Sequence, residues 1–284
     1  MKLTPDDLRE AIEYTAEQTG FSARLIEKDY YCSLILKSLY ENELLAKHLL
    51  FKGGTLLAKA YCDFFRLSED LDFSVTNDMC VTRQIRRKFS DNLRAQIEKA
   101  ISTLNLRAAS AFKGANESRQ YTAVFQYNSV IGPPETVKFD LGLRNDVLDN
   151  INSVELKTLL LEPFGGKEIF PRFQAAALTI EEAYAEKTRA ALTRKEPAIR
   201  DFFDLWVAQE MGLLPLTSRY FEFLSKKLAM DRTAHIDMSF AKEKYLLAQI
   251  ENELNTVLKK ETASRFKFNE AWQLVKTIHA TLTS

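Results

Sequence analysis

The reading of the fold turns on 51-FKGGTLLAKAYCDFFRLSEDLDFSV-75. A short apolar run over residues 48 to 52 reads as a strand and ends at Gly53 and Gly54, a pair that punctuates extended structure. TLLAKAYCDFF then reads as one short helix, and LDFSV as the next strand. Along it Leu71, Phe73 and Val75 take one face, and Asp70, Asp72 and Ser74 the other, because side chains alternate in an extended chain. Chemistry follows from the same residues. Glycines without Cβ let a ligand approach the backbone, and the N–H groups that open a helix attract phosphate oxygens, helped by the helix dipole. Carboxylates at i and i+2 on one strand face suit a hard cation, so a triphosphate and Mg²⁺ meet at one place. A glycine turn followed by a solvated acidic strand edge gives the same string with no site, and only the joint pattern favours chemistry.

Outward from this stretch, residues 4 to about 40 read as two helices broken at Gly20, the first capped at Thr4 and the second at Ser22. Residues 82 to 104 read as an amphipathic helix, since Ile85, Phe89, Leu93, Ile97 and Ile101 recur every four positions. Its outer face carries Arg83, Arg86, Arg87, Lys88, Arg94 and Lys99, which either track an RNA backbone or are merely solvated. Strands are expected at 104–112, 120–131 and 135–143. In the last, Val137, Phe139 and Leu141 alternate with Thr136, Lys138 and Asp140. After Pro171 the character changes: residues 176 to 284 hold one glycine, Gly212, and two prolines, Pro197 and Pro215, and read as helical throughout. Residues 1–175 and 176–284 are therefore the expected domains.

Composition narrows the classes. The chain has 284 residues, 46% hydrophobic and 27% charged, which is ordinary for a soluble globular protein. Thirty-nine basic residues balance thirty-nine acidic ones, so whole-chain charge points to neither nucleic acid nor membrane. No apolar run approaches a membrane span, no signal peptide opens the chain, and a cytoplasmic location is expected. Cys32, Cys62 and Cys80 stand far apart and read as reduced structural residues. His48, His235 and His279 are too scattered for a metal site or a triad. The P-loop, dinucleotide-binding, nucleophile-elbow and zincin signatures are all missing.

The joint pattern resembles the polymerase-β-type nucleotidyltransferase signature, a glycine turn followed by D-h-D-h, here F-K-G-G-T and D-L-D-F. The fuller string, G-G-T-x-L-x-K-x-Y with R-x-S-E-D-L-D, looks like the AbiEii/AbiGii toxin family, which includes the MenT toxins. E-K-D-Y at Glu27 to Tyr30, and EEAYAEKTRAALTRKEPAIRDFFDLW with its lysine–arginine helix and R-D-x-x-D-L, are similar to two further family elements. The likeness spans residues 27 to 206, with departures at Leu56, Ala58 and Leu67.

The resemblance implies an α+β fold, a mixed sheet with flanking helices followed by an all-helical C-terminal lobe across a cleft. It implies transfer of a nucleoside monophosphate from a nucleoside triphosphate, CTP being favoured, to the 3′ end of a tRNA by a toxin that blocks translation in a toxin–antitoxin or phage-defence system. A winged-helix antitoxin that acts without tight binding is the implied partner. Mapped onto this sequence, Asp70, Asp72 and Asp140 are the expected Mg²⁺ ligands. Gly53, Gly54, Thr55, Lys59, Ser68, Arg66 and Arg189 are the expected nucleotide contacts, with Lys187 on the triphosphate and Asp204 positioning it. Each has a plainer reading: Asp140 with Lys138 on a wet sheet face, Ser68 as a strand-entry serine, Arg66 paired with Glu69, and Lys187, Arg189, Asp201 and Asp204 on solvated helix faces. Lys28 and Asp29 stand equally open. The rival functions are a nucleotidyltransferase acting on a protein or small molecule, and a catalytically silent nucleotide-binding module.

Overall fold

In a computed structural model, which describes residues 3–75, 82–104, 106–116, 119–143, 147–230 and 235–283, the chain divides into two compact units. One comprises Met1–Val147 and Ile151–Leu178, the other Leu148–Asn150 and Thr179–Ser284.

The first unit opens with α1 (Pro5–Thr19), α2 (Ala23–Tyr40) and α3 (Glu43–His48). Thr4 and Asp7 cap α1 reciprocally, and Gly20 ends it in the left-handed region at φ 76°. The sheet then forms from β1 (Leu49–Lys52), β2 (Asp70–Val75), β3 (Arg107–Ala115), β4 (Gln120–Tyr127), β5 (Glu135–Gly142), β6 (Asn152–Leu156) and β7 (Phe173–Ala177). Their order is β3-β4-β5-β2-β1-β7-β6. β2 lies antiparallel to β1 and parallel to β5, and β1 pairs in parallel with β7, so the sheet is mixed and β1 and β2 are central. One face is apolar and closed: Leu71, Phe73, Val137, Phe139 and Leu141 are all buried, and the Phe73 and Phe139 rings stack at 4.8 Å. α5 (Arg83–Ser102) covers that face through Leu93, Ile97 and Ile101, and its Ser90 hydroxyl donates to the Tyr121 hydroxyl at 3.2 Å.

Between β1 and β2 the chain makes one turn of α-helix, α4 (Gly53–Leu56), and then a π-turn over Leu57–Tyr61. The helix expected through CDFF is cut short, and Asp63 and Phe64 take positive φ. Residues 176–178, grouped with the helices on sequence grounds, complete β7 and its continuation: the Leu178 N–H donates to the Phe51 carbonyl at 3.1 Å. Cys32 and Cys62 are buried and unbridged, burial pushing the Cys32 thiol up to about 12, while Cys80 lies outside the described residues.

The second unit is helical: α6 (Ile180–Thr193), α7 (Ile199–Glu210), α8 (Ser218–Met230), α9 (Phe240–Gln249), α10 (Lys260–Arg265) and α11 (Phe268–Thr283). Leu148–Asn150 belongs to it because the buried Glu182 accepts the Leu148 and Asp149 N–H groups at 2.8 and 2.9 Å. Glu182 also takes Lys227 Nζ at 2.8 Å, which neutralises it away from water. Among the described residues no helix is long and apolar enough to cross a membrane.

Candidate active site

Gly53 holds φ +80°, a conformation that suits glycine, and a Cβ built there would clash with Asp72 Oδ2. The turn is therefore moulded on the carboxylate it precedes in sequence by nineteen residues. Gly54 is similar, since its Cβ would stand 2.5 Å from Arg66 Nη2 and 3.2 Å from Ser68 Oγ. The Thr55 hydroxyl, itself buried, donates to the Asp70 carbonyl at 2.5 Å and ties α4 to the start of β2. Gly53, Gly54, Thr55, Arg66, Ser68, Asp70 and Asp72, all within one stretch of twenty residues, thus form one knot. Arg66 is buried and donates to the Leu67 carbonyl at 3.1 Å.

Asp140 joins from β5. The parallel register makes Asp72 and Asp140 Cα partners and sets Asp70 beside Lys138, so all three carboxylates share the polar face of the sheet. All three are half-buried, and the Gln120 amide donates to Asp140 Oδ2 at 2.6 Å. Among the described residues no three His, Cys, Asp or Glu side chains converge as a group able to hold an ion. The donor set is nonetheless chemically right for Mg²⁺, which takes one or two carboxylates together with substrate phosphates rather than a complete protein cage.

Lys59, expected as a nucleotide contact, turns inward. Its ammonium is 1% exposed and donates to Asp29 Oδ2 at 2.9 Å and Ser33 Oγ at 2.8 Å, an internal ion pair that fixes the π-turn to α2. Ser33 gave no signal in the sequence, being one of two serines in α2. Lys28 and Arg24 of α2 meet Glu69 at 3.0 and 2.9 Å, and Arg24 also meets Glu135 at 2.6 Å. Burial pushes the Glu69 carboxyl up, but Lys28 and Arg24 outweigh it and hold it below the ordinary value. Arg24 likewise lowers Glu135. Neither Arg24 nor Glu135 was legible as part of this edge, because they meet only through folding.

In the helical unit Lys187 Nζ lies 3.0 Å from Asp201 Oδ1 and 2.9 Å from Asp204 Oδ2, with Asp204 wholly buried. Arg194 reaches Asp201 Oδ2 at 3.1 Å. Arg189 sits half-buried two positions beyond Lys187 and so on a different side of α6.

The family described as "Nucleotidyl transferase AbiEii toxin, Type IV TA system" matches residues 34–274. No curated protein matches the sequence. Among solved structures, the chain is similar to MenT4, a nucleotidyltransferase toxin of Mycobacterium tuberculosis H37Rv, with a TM-score of 0.58 at 14% identity over 99% of both chains. At that identity the likeness speaks for the fold.

Proposed function

The chain belongs to the AbiEii family of nucleotidyltransferase toxins, and from that premise we propose that it transfers a nucleoside monophosphate from a nucleoside triphosphate to the 3′ end of an RNA, tRNA foremost, and so blocks translation. The observation that carries this reading is the fit of the Gly53 turn against Asp72, which joins a close-approach backbone to a carboxylate on the same sheet face as Asp70 and Asp140.

Asp70 and Asp72 would hold Mg²⁺, with Asp140 as the third carboxylate. The bound ion supplies charge neutralisation at the α-phosphate and the leaving pyrophosphate. The glycine turn admits the triphosphate, and the Arg66 guanidinium and Ser68 hydroxyl lie against that turn to orient it. Asp140, held by Gln120, takes the proton of the acceptor 3′-hydroxyl as its oxygen bonds to the α-phosphorus. The bond to the β-phosphate's bridging oxygen breaks, and pyrophosphate leaves. Lys187, held by Asp201 and Asp204, supplies a point charge to phosphate, a role suited to ammonium. A type IV system implies a cognate antitoxin, which we take to be a winged-helix protein that does not bind the toxin tightly. CTP is the nucleotide to test first, and the reaction belongs in the cytoplasm.

The test is incubation of purified protein with each α-labelled nucleoside triphosphate, Mg²⁺, total RNA and cell protein. Label in RNA of tRNA size is expected. Label confined to protein or small molecules would refute the RNA acceptor, and no label anywhere would leave a silent binding module.

A further inference from the structure

Beyond the carboxylates the polar face of the sheet continues outward over β5, β4 and β3. Paired residues in neighbouring strands share a face, so the registers define rows across it. One row runs Lys113, Thr122, Asp140, Asp72 and Lys52. The next runs Ser110, Val124, Lys138 and Asp70. Arg107 opens a third, opposite Gln126. Arg107, Lys113, Thr122 and Lys138 are all exposed. With strands about 4.8 Å apart, the Lys113 Cα lies about 14 Å from that of Asp72, and Lys138 stands about 7 Å along β5 from Asp140.

The charge on this face is one-sided. Among the described residues of β3 to β5 it carries three cations, Arg107, Lys113 and Lys138, and one acid, Asp140 itself. Glu135, the other acid of these strands, alternates with Lys138 onto the opposite face and is paired with Arg24. This stands out in a chain whose formal charge is zero. No aromatic side chain of these strands is on the polar face: Phe112, Tyr121, Phe125, Tyr127 and Phe139 pack on the closed side. A stacking platform for bases is therefore missing, and what remains are cations, hydroxyls and amides, the groups that hold phosphate and ribose irrespective of sequence. A protein partner would call for an apolar centre, which this face lacks.

We infer that the open face of β3 to β5 is the track for the single-stranded 3′ end of a polynucleotide acceptor, with Arg107, Lys113 and Lys138 on its phosphates, leading the terminal hydroxyl to Asp70 and Asp72. The inference rests on the RNA-acceptor reading above and adds where the acceptor lies. It also sets aside the basic face of α5, since α5 covers the closed side, where the Arg94 guanidinium sits 4.3 Å over the Tyr121 ring.

The test uses the full chain and a 5′-labelled single-stranded RNA with a free 3′-hydroxyl, its affinity followed by fluorescence anisotropy across a KCl series. In the Arg107→Gln/Lys113→Gln/Lys138→Gln variant the slope of log affinity against log salt falls by about 2, at about 0.7 per phosphate contact. KM for RNA rises at least about tenfold while KM for the nucleotide stays unchanged. Arg86→Gln/Arg87→Gln/Lys88→Gln on α5 keeps the wild-type slope. An unchanged slope in the first variant, or a flattened one in the second, overturns the track even if the wild type labels RNA. A wild type that turns over nucleotide but neither binds nor labels RNA overturns the acceptor reading together with the track.

Discussion

The two sets of signature residues are held in opposite ways. On β2 and β5, Asp70, Asp72 and Asp140 stand half-buried on one sheet face beside a glycine turn. On α6 and α7, Asp201 and Asp204 are buried and share the Lys187 ammonium within 3.0 Å. A half-exposed carboxylate can change partners when a cation and phosphates arrive. A half-buried lysine held between two buried carboxylates is fixed, because withdrawing it strands their charge away from water. On the proposed function the first set thus serves the reacting groups, and the second aims one of its members.

The sharpest way to break this contrast is to neutralise one member of each set. Asp72→Asn is expected to lower kcat by roughly 10³-fold, about 4 kcal/mol by comparison with other charge-stabilising groups, with an unchanged melting temperature. A normal rate would remove Asp72 from the reacting set. Lys187→Met is expected to act on stability as well, costing about 3 kcal/mol in urea denaturation because the wholly buried Asp204 loses the Lys187 ammonium, whereas Asp201 keeps Arg194. A variant with wild-type stability but lost turnover would make Lys187 a reacting group no different in kind from Asp72.

Smaller effects refine the comparison. Gly53→Ala forces a side chain into the left-handed region and displaces Asp72, so it should cost about 1 to 3 kcal/mol in urea denaturation and also depress activity. Loss of stability with full activity would separate the turn from the carboxylate. The smallest effect belongs to the edge pair Arg24–Glu135. Arg24 holds Glu135 below its ordinary value of 4.5, so the folded state binds the proton less readily than the unfolded chain. That contribution is present above about pH 4.5 and fades as pH falls through the lowered folded value. Urea midpoints measured from pH 6 downward should fall less steeply in Glu135→Gln, and parallel curves would leave Arg24 without influence.

How much was legible depended on how local each signal is. Alternation alone located β2 and β5, because Leu71 and Phe73, like Val137, Phe139 and Leu141, bury one face while aspartates take the other. The four-residue recurrence from Ile85 to Ile101 likewise located α5. β6 and β7 gave no such signal: FQAAA carries three alanines, poor strand formers, and β7 becomes a strand through its pairing with β1, over a hundred residues earlier. At the site, the glycine pair and the two aspartates of D-L-D announce themselves by spacing. That Gly53 fits Asp72, that Gly54 fits Arg66 and Ser68, and that Lys59 turns inward to Asp29 depend on side chains meeting in space. A lysine near a glycine turn looks the same in sequence whether it faces a phosphate or a buried carboxylate.

The contrast between the two sets is tested most directly by calorimetric titration of Mg²⁺ and then nucleoside triphosphate into the wild type, Asp72→Asn and Lys187→Met. The account predicts that Asp72→Asn loses the metal-binding heat, whereas Lys187→Met keeps it and loses nucleotide affinity. Metal binding of wild-type strength in Asp72→Asn, or its loss in folded Lys187→Met, would contradict it.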